Sequence, residues 1–200
     1  MRVDRNQSDE SAGPWLIVGL GNPGKEYAGH RHNIGFRVVE EFGQRVGGSF
    51  RSNKRARAQS LEARVGGHRI VLVKPTTFMN DAGQAVAPLR DFYKAEPDRI
   101  IAIHDELDLP FGSLRLKFGG GDNGHNGLKS LRQSLGTGDF FRARCGIGRP
   151  PGRLDPAVFV LRDFSSSERQ ELDVEIGRTA DAVEVLIEEG LDRAQTQFND

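Results

Sequence analysis

With a single cysteine, Cys145, the 200-residue chain can form no internal disulfide, which fits a protein kept in a reducing cytosol. No apolar run approaches the roughly 18 residues that suggest a membrane-spanning helix. The opening stretch MRVDRNQSDESAG also lacks the apolar segment of a secretory leader. A cytoplasmic protein without a membrane partner is therefore expected. Net charge is absent too: Lys plus Arg and Asp plus Glu both number 28, so the total gives no pointer to nucleic acid. No histidine pair has the helical H-x-x-x-H spacing, no cysteines cluster, and no G-x-S-x-G string offers a serine nucleophile. There is no internal repeat and no evident linker, and the length suits one domain. We expect that domain over 13–200, after a polar, disordered extension over 1–12.

Glycine, in contrast, is plentiful. The 25 glycines gather in a few loops rather than in a low-complexity tract, so they read as local demands of the backbone. Four stretches carry most of the chemistry: GLGNPGKEYAGHRHN (Gly19–Asn33), KPTTFMN (Lys74–Asn80), HDELDLPFG (His104–Gly112) and GGGDNGHNG (Gly119–Gly127). Each follows, or nearly follows, a run that reads as a buried strand, the place where α/β proteins put their sites. Asparagine suits strand and helix interiors poorly but offers both a donor and an acceptor. Several in such loops point to a site that orients water and a carbonyl. Charge is unevenly spread as well. From Arg31 to Lys74 there are 10 basic and 3 acidic residues, and from Asp155 to the end 4 basic and 12 acidic. A neutral globule polarised in this way can still present a basic face to an anionic partner.

WLIVG (Trp15–Gly19), HRIVLV (His68–Val73) and RIIAI (Arg99–Ile103) read as buried strands, and Arg55–Arg64, Leu114–Phe118 and Phe140–Ile147 as further strands. The four-residue recurrence Ile34, Val38, Phe42, Val46 gives a helix from about Asn33 to Val46. Further helices are expected from an Asn80 or Asp81 cap to Tyr93, kinked at Pro88, over Asn126–Leu135, and over Ser165–Gly190. Residues 149–156 read as a turn-rich connection. Strands alternating with helices imply an α/β fold with a mixed, mostly parallel, twisted sheet flanked by helices.

Three site chemistries compete. GLGNPG fits the G-x-G-x-x-G fingerprint of dinucleotide binding, yet the helical period begins only near Asn33. No second strand ends in an acid about 20 residues on, since Glu40 and Glu41 fall inside the helix. The segment His30-Arg31-His32, with His104, Asp105 and His125, could form a metal-dependent hydrolase. A histidine held by a carboxylate, His32 with Asp105, would instead make a general base. Asp105, Glu106 and Asp108 are three neighbouring carboxylates, but alternation along an extended segment points Asp105 away from Glu106. His125-Asn126 opens a helix whose free N–H groups favour an anion. Lys117, Arg142 and Arg144 are cations on adjoining strands, with a solvated strand face the plainer reading of Arg142.

Taken in order, VGLGNPGKEY, RHNIGF, KPTTFMN, HDELDLPFG, GGGDNGHNGL and CGIGRP resemble the bacterial-type peptidyl-tRNA hydrolase family, from about Trp15 to the C-terminal helix. The resemblance implies the peptidyl-tRNA hydrolase-like (phosphorylase/hydrolase-like) fold and a monomeric, cytosolic esterase with no metal or other cofactor. It would cut the bond between a peptide and the tRNA 3′ end, recycling tRNA from stalled translation. It further implies His32 as the base and Asp105 as the carboxylate that orients it. Asn22, Asn80 and Asn126 would position water, substrate carbonyl and peptide, with Asn80 the favoured oxyanion donor. Tyr27 would contact the tRNA 3′ end; Met79, Gly124 and His125 would line the peptide groove; Lys117 and Arg144 would hold the 5′-phosphate beside the acceptor stem. Two positions depart from the pattern: His30, where the family often has a small residue, and Cys145, in place of an aliphatic residue and expected to serve packing alone. An RNA-binding module without turnover is the rival from another class.

Overall fold

Apolar runs buried on both faces form the centre of the protein, whose computed structural model describes residues 13–199. The strands are β1 (Trp15–Gly19), β2 (Arg51–Ser52), β3 (Ala58–Val65), β4 (His68–Pro75), β5 (Ile100–Glu106), β6 (Leu114–Phe118) and β7 (Phe141–Gly146). They make one seven-stranded sheet in the order β2-β3-β4-β1-β5-β7-β6. β4, β1, β5 and β7 run parallel at its centre, while β2, β3 and β6 add antiparallel edges. Successive residues of the central strands face opposite layers. Ile17, Ile101 and Ile103 pack with α1 (Ile34–Arg45), α5 (Ser166–Glu189) and α6 (Leu191–Phe198). Leu16, Val18, Ile100 and Ala102 pack with α2 (Ala82–Tyr93) and α3 (Asn126–Leu135). Burial on both sides explains why these strands read as continuous hydrophobic runs rather than alternating ones. Among the described residues no helix is long and apolar enough to cross a membrane. The extension expected to be disordered, 1–12, lies outside the described residues.

Several boundaries differ from the expectations. Arg31–Asn33 forms a 3-10 turn and α1 begins one residue later, at Ile34. Neither Asn80 nor Asp81 caps α2 with its side chain: Met79–Asp81 is another 3-10 turn, and Asp81, at the N-cap, makes no side-chain cap bond. The helix runs on through Pro88, which is exposed, as is Gln84, whose carbonyl the missing Pro88 N–H leaves without its helical partner. Among the strands and α-helices, three short ones went unread: the two-residue β2, α4 (Pro156–Val160) and α6, which is divided from α5 by Gly190 at φ 90°. α5 starts where the sequence placed it, since Ser165 and Glu168 form a reciprocal capping box.

The end of β1 meets the start of α1 almost backbone to backbone. A Cβ on Gly35 would lie 2.3 Å from the Ile103 carbonyl oxygen and 2.5 Å from the Leu20 nitrogen, and one on Gly19 would lie 2.3 Å from the Gly35 carbonyl. These two glycines let the turn bearing His32 press against β5. Gly35→Ala should therefore lower unfolding free energy by about 1–3 kcal/mol, the usual cost of overpacking. A denaturant midpoint equal to that of the parent protein would contradict this.

Candidate active site

β1 lies between β4 and β5, so the loops that follow the C-terminal ends of these parallel strands lie side by side along one edge of the sheet. His32 comes from the turn before α1, Asp105 from the end of β5, and His125 from the residue preceding α3. Nδ1 of His32 lies 2.9 and 3.0 Å from the two Asp105 oxygens, and Nε2 of His125 lies 2.9 Å from Oδ1 of the same carboxylate. The two imidazole centroids are 4.9 Å apart. Asp105 is buried, yet its carboxyl is held well below the usual range: burial opposes ionisation, and the charges and hydrogen bonds of His32 and His125 outweigh it. Burial likewise works against protonation of His32, but the Asp105 charge and hydrogen bond prevail and its pKa is raised above 6.5. His104, fully buried behind the pair, goes the other way, down to about 3, because burial and then the neighbouring His125 disfavour its charged form.

Hydrogen bonding fixes the tautomers. His125 Nδ1 accepts from the Gly127 and Leu128 N–H groups at 3.1 and 3.3 Å, so its proton sits on Nε2 and points at Asp105. His32 donates its Nδ1 proton to Asp105, which leaves Nε2 as a lone pair. That atom makes no hydrogen bond among the described residues, and His32 lines a cleft of about 290 Å³. By distance alone, His32, Asp105 and His125 could surround a metal ion. The donor set fits poorly, because a metal on His125 Nε2 would leave Nδ1 facing two amide donors without a proton of its own, which requires an imidazolate.

The asparagines are held to different degrees. Oδ1 of Asn22 accepts the Met79 N–H at 2.8 Å, which leaves its NH₂ group to donate, and Asn22 borders a separate cavity with Gly24, Phe36 and Lys74 rather than the cleft lined by His32. Asn33 clasps the Asn22 backbone from both sides, accepting its N–H at 3.0 Å and donating to its carbonyl at 2.9 Å. Asn126 is exposed and lines the cleft together with Gly124 and His125. Asn80 is exposed on its turn, and no hydrogen bond among the described residues holds its side chain. Met79 is buried under this region, and Tyr27 stands edge-on to Phe78 and His30 at 6.2 and 5.5 Å.

The opposite wall of the cleft is Asp155–Ala157 and Val160, from the start and end of α4. Sequence reasoning missed both this wall and its anchor. Arg31, next to His32, is buried with its guanidinium over the Phe159 and Phe164 rings at 4.2 and 5.3 Å and bonded to Glu168 at 2.7 Å. The Arg31 N–H donates to the Arg162 carbonyl, so the turn bearing His32 and the wall are stitched together. Asn33 was also missed as a positioning residue; its place in HRHN beside His32 was the available signal. Glu106 does face other partners than Asp105 does, binding Arg144 at 3.0 Å and Asn123 at 3.0 Å, although both carboxylates line the same cleft. Arg142 is not solvated: it is buried, and its guanidinium donates to the carbonyls of Gly120 and Gly121.

Lys117 and Arg142 are directly paired across β6 and β7, as are Arg115 and Arg144. Like charges so placed repel one another. Burial first, then Arg144 and Arg142, lower the Lys117 pKa. Glycine carbonyls offset Arg142 and Glu106 offsets Arg144, whereas Lys117 has no salt bridge among the described residues. This ribbon face suits an anion.

A buried carboxylate, an imidazole with one nitrogen open to a cleft, and amide groups beside it are the parts of a hydrolase centre that activates water. Comparison with known proteins agrees. A model of the family described as peptidyl-tRNA hydrolase matches residues 16–200. The peptidyl-tRNA hydrolase of Streptomyces coelicolor is 55% identical over 195 residues, covering 95% of this chain and 97% of that one. Its counterpart from Frankia casuarinae is 57% identical over 187 residues, 94% of each chain. The crystal structure of peptidyl-tRNA hydrolase from Acinetobacter baumannii superposes with a TM-score of 0.88 at 38% identity, covering 94% of this chain and 95% of that one. The chain belongs to the peptidyl-tRNA hydrolase family.

Proposed function

We propose that this protein is a monomeric, cytoplasmic enzyme that hydrolyses the ester joining a peptide, or an N-blocked aminoacyl group, to the 3′ end of tRNA. The observation that carries the reading is the His32–Asp105 pair with Nε2 of His32 open to the cleft. Nε2 takes a proton from water as the oxygen attacks the ester carbonyl, and Asp105 stabilises the imidazolium that forms. The proton then passes to the departing ribose oxygen. Such general-base help is worth roughly 10²–10⁴-fold. An ester has a good enough leaving group for water attack to need no metal and no covalent intermediate. An oxyanion donor must be held in place before reaction. Asn22 has that preorganisation through Met79 and Asn33, and Asn80 lacks it. The oxyanion role therefore passes to Asn22, and Asn80 and Asn126 bind the peptide. Recognition of the peptide amide would leave those groups unpaired against a free α-amine, which spares ordinary aminoacyl-tRNA.

The test is hydrolysis of N-acetyl-aminoacyl-tRNA beside the unacetylated form, both in excess EDTA. Rapid cleavage of the acetylated substrate alone is expected. Activity lost to the chelator and restored by zinc would replace this reading with a metal-dependent one, and binding without cleavage would leave an RNA-binding module. Lys117, with Arg144, is assigned to the tRNA 5′-phosphate. Lys117→Ala should weaken tRNA binding and reduce the slope of log K against log salt by about 1. A slope unchanged from the parent would move the phosphate elsewhere.

A further inference from the structure

Asp105 is shared by two imidazoles, and a single base needs only one of them. His125 spends both ring nitrogens on protein partners: Nδ1 accepts from the first amides of α3, and Nε2–H donates to Asp105 Oδ1 at 2.9 Å. With Nδ1 committed to accepting from two N–H groups, the ring proton sits on Nε2. His125 is therefore a fixed N–H donor aimed at the same oxygen that receives the His32 proton at 2.9 Å.

We propose that His125 is a positioning residue that dilutes the hold of Asp105 on His32 and so sets the pH at which His32 becomes a base. A carboxylate that accepts a second N–H is less basic and favours the neighbouring imidazolium less. Without that donor, Asp105 would act on His32 alone, hold its proton more tightly and move the onset of activity to higher pH. The other titratable groups around His125 do not supply this effect. His104 on β5 donates Nδ1–H to the Asp105 backbone carbonyl at 2.7 Å, Glu106 is engaged by Arg144, and Asp155 on the facing wall caps α4 through the Ala157 N–H. The inference rests on His32 being the base.

Two substitutions separate the two jobs of His125. Asparagine places an acceptor where Nδ1 caps α3 but is too short to reach Asp105. Glutamine carries a donor out to the Nε2 position but gives the helix no acceptor. Imidazole ¹⁵N NMR follows the titration of His32 directly, and the pH profile of kcat/KM on N-acetyl-aminoacyl-tRNA follows its catalytic consequence. In His125→Asn the His32 titration and the acid limb should both move to higher pH. In His125→Gln they should stay close to the parent. In the unaltered protein ¹⁵N NMR should show the His125 proton on Nε2, with Nδ1 bare and accepting from the α3 amides. An unmoved His32 titration in the folded asparagine variant, an equal shift in both variants, or a His125 proton found on Nδ1 in the unaltered protein would overturn the proposal. The last of these is read on the parent protein and decides the matter even where a variant does not fold. An acid limb that fails to follow the His32 titration would instead remove His32 as the base, a separate result.

Discussion

Replacing His32 with alanine is expected to lower kcat by about 10²–10⁴-fold while changing Kd for tRNA little. The two effects separate because His32 sits in the crevice at the ends of β1 and β5, whereas Lys117 and Arg144, the groups proposed for the tRNA phosphate, stand on the like-charged face of β6 and β7. The fold should tolerate the change. His32 lies in a one-turn segment before α1, and the close approach of Gly35 to Leu20 and Ile103 is untouched by its side chain. Asp105 would keep one N–H donor, from His125, so no wholly unpaired buried charge results. Turnover within about twofold of the parent would remove His32 from the mechanism; a parallel loss of tRNA affinity would show that it binds substrate instead.

Asp105→Asn should cost as much or more, by about 10⁴-fold, on the precedent of the equivalent substitution in serine-protease triads. The amide keeps the shape but offers one acceptor and one donor where two N–H groups now converge. One imidazole must flip its tautomer or lose its bond. Because His125 is tied to the α3 amides, His32 is the one that yields, and its Nε2 then carries the proton and cannot serve as a base. The pH dependence of stability should change as well. Asp105 has a folded pKa well below 3.8, so in the parent it contributes stability present above pH 3.8 and lost as pH falls through the folded value. His32 has a raised pKa, so its share is complete below pH 6.5 and is lost as pH rises through its folded value. Both contributions should vanish in Asp105→Asn, flattening the stability profile across acid and neutral pH. A variant that keeps parental kcat would mean that Asp105 does not orient the base.

The central strands and the main site loops were legible because their causes are local. Ile17, Val18, Ile101 and Ala102 are buried whichever way they point, so β1 and β5 appear as unbroken apolar runs ending in glycine or in polar residues. Asn22, His32, Asp105 and His125 stand out as polar residues at or just beyond the ends of such runs, where α/β proteins place their sites. What stayed hidden depends on partners distant in the chain. Arg31 reads as a surface cation until Phe159, Phe164 and Glu168 are folded over it. Arg142 reads as a solvated strand residue until the carbonyls of the glycine loop close around it. α4 has five residues, too few to display a helical period, and the wall it supplies is invisible without its anchor. The roles of the asparagines also required coordinates, because Asn22 and Asn80 look alike in sequence and differ only in what restrains them.

The central claim, that neutral His32 activates water, is tested most directly by measuring kcat/KM against pH in EDTA beside the ¹⁵N titration of His32 in the same buffers. The account predicts a single acid limb whose midpoint coincides with the His32 titration and lies above 6.5, the ordinary histidine value, as Asp105 requires. A rate that stays level while His32 becomes protonated would contradict it.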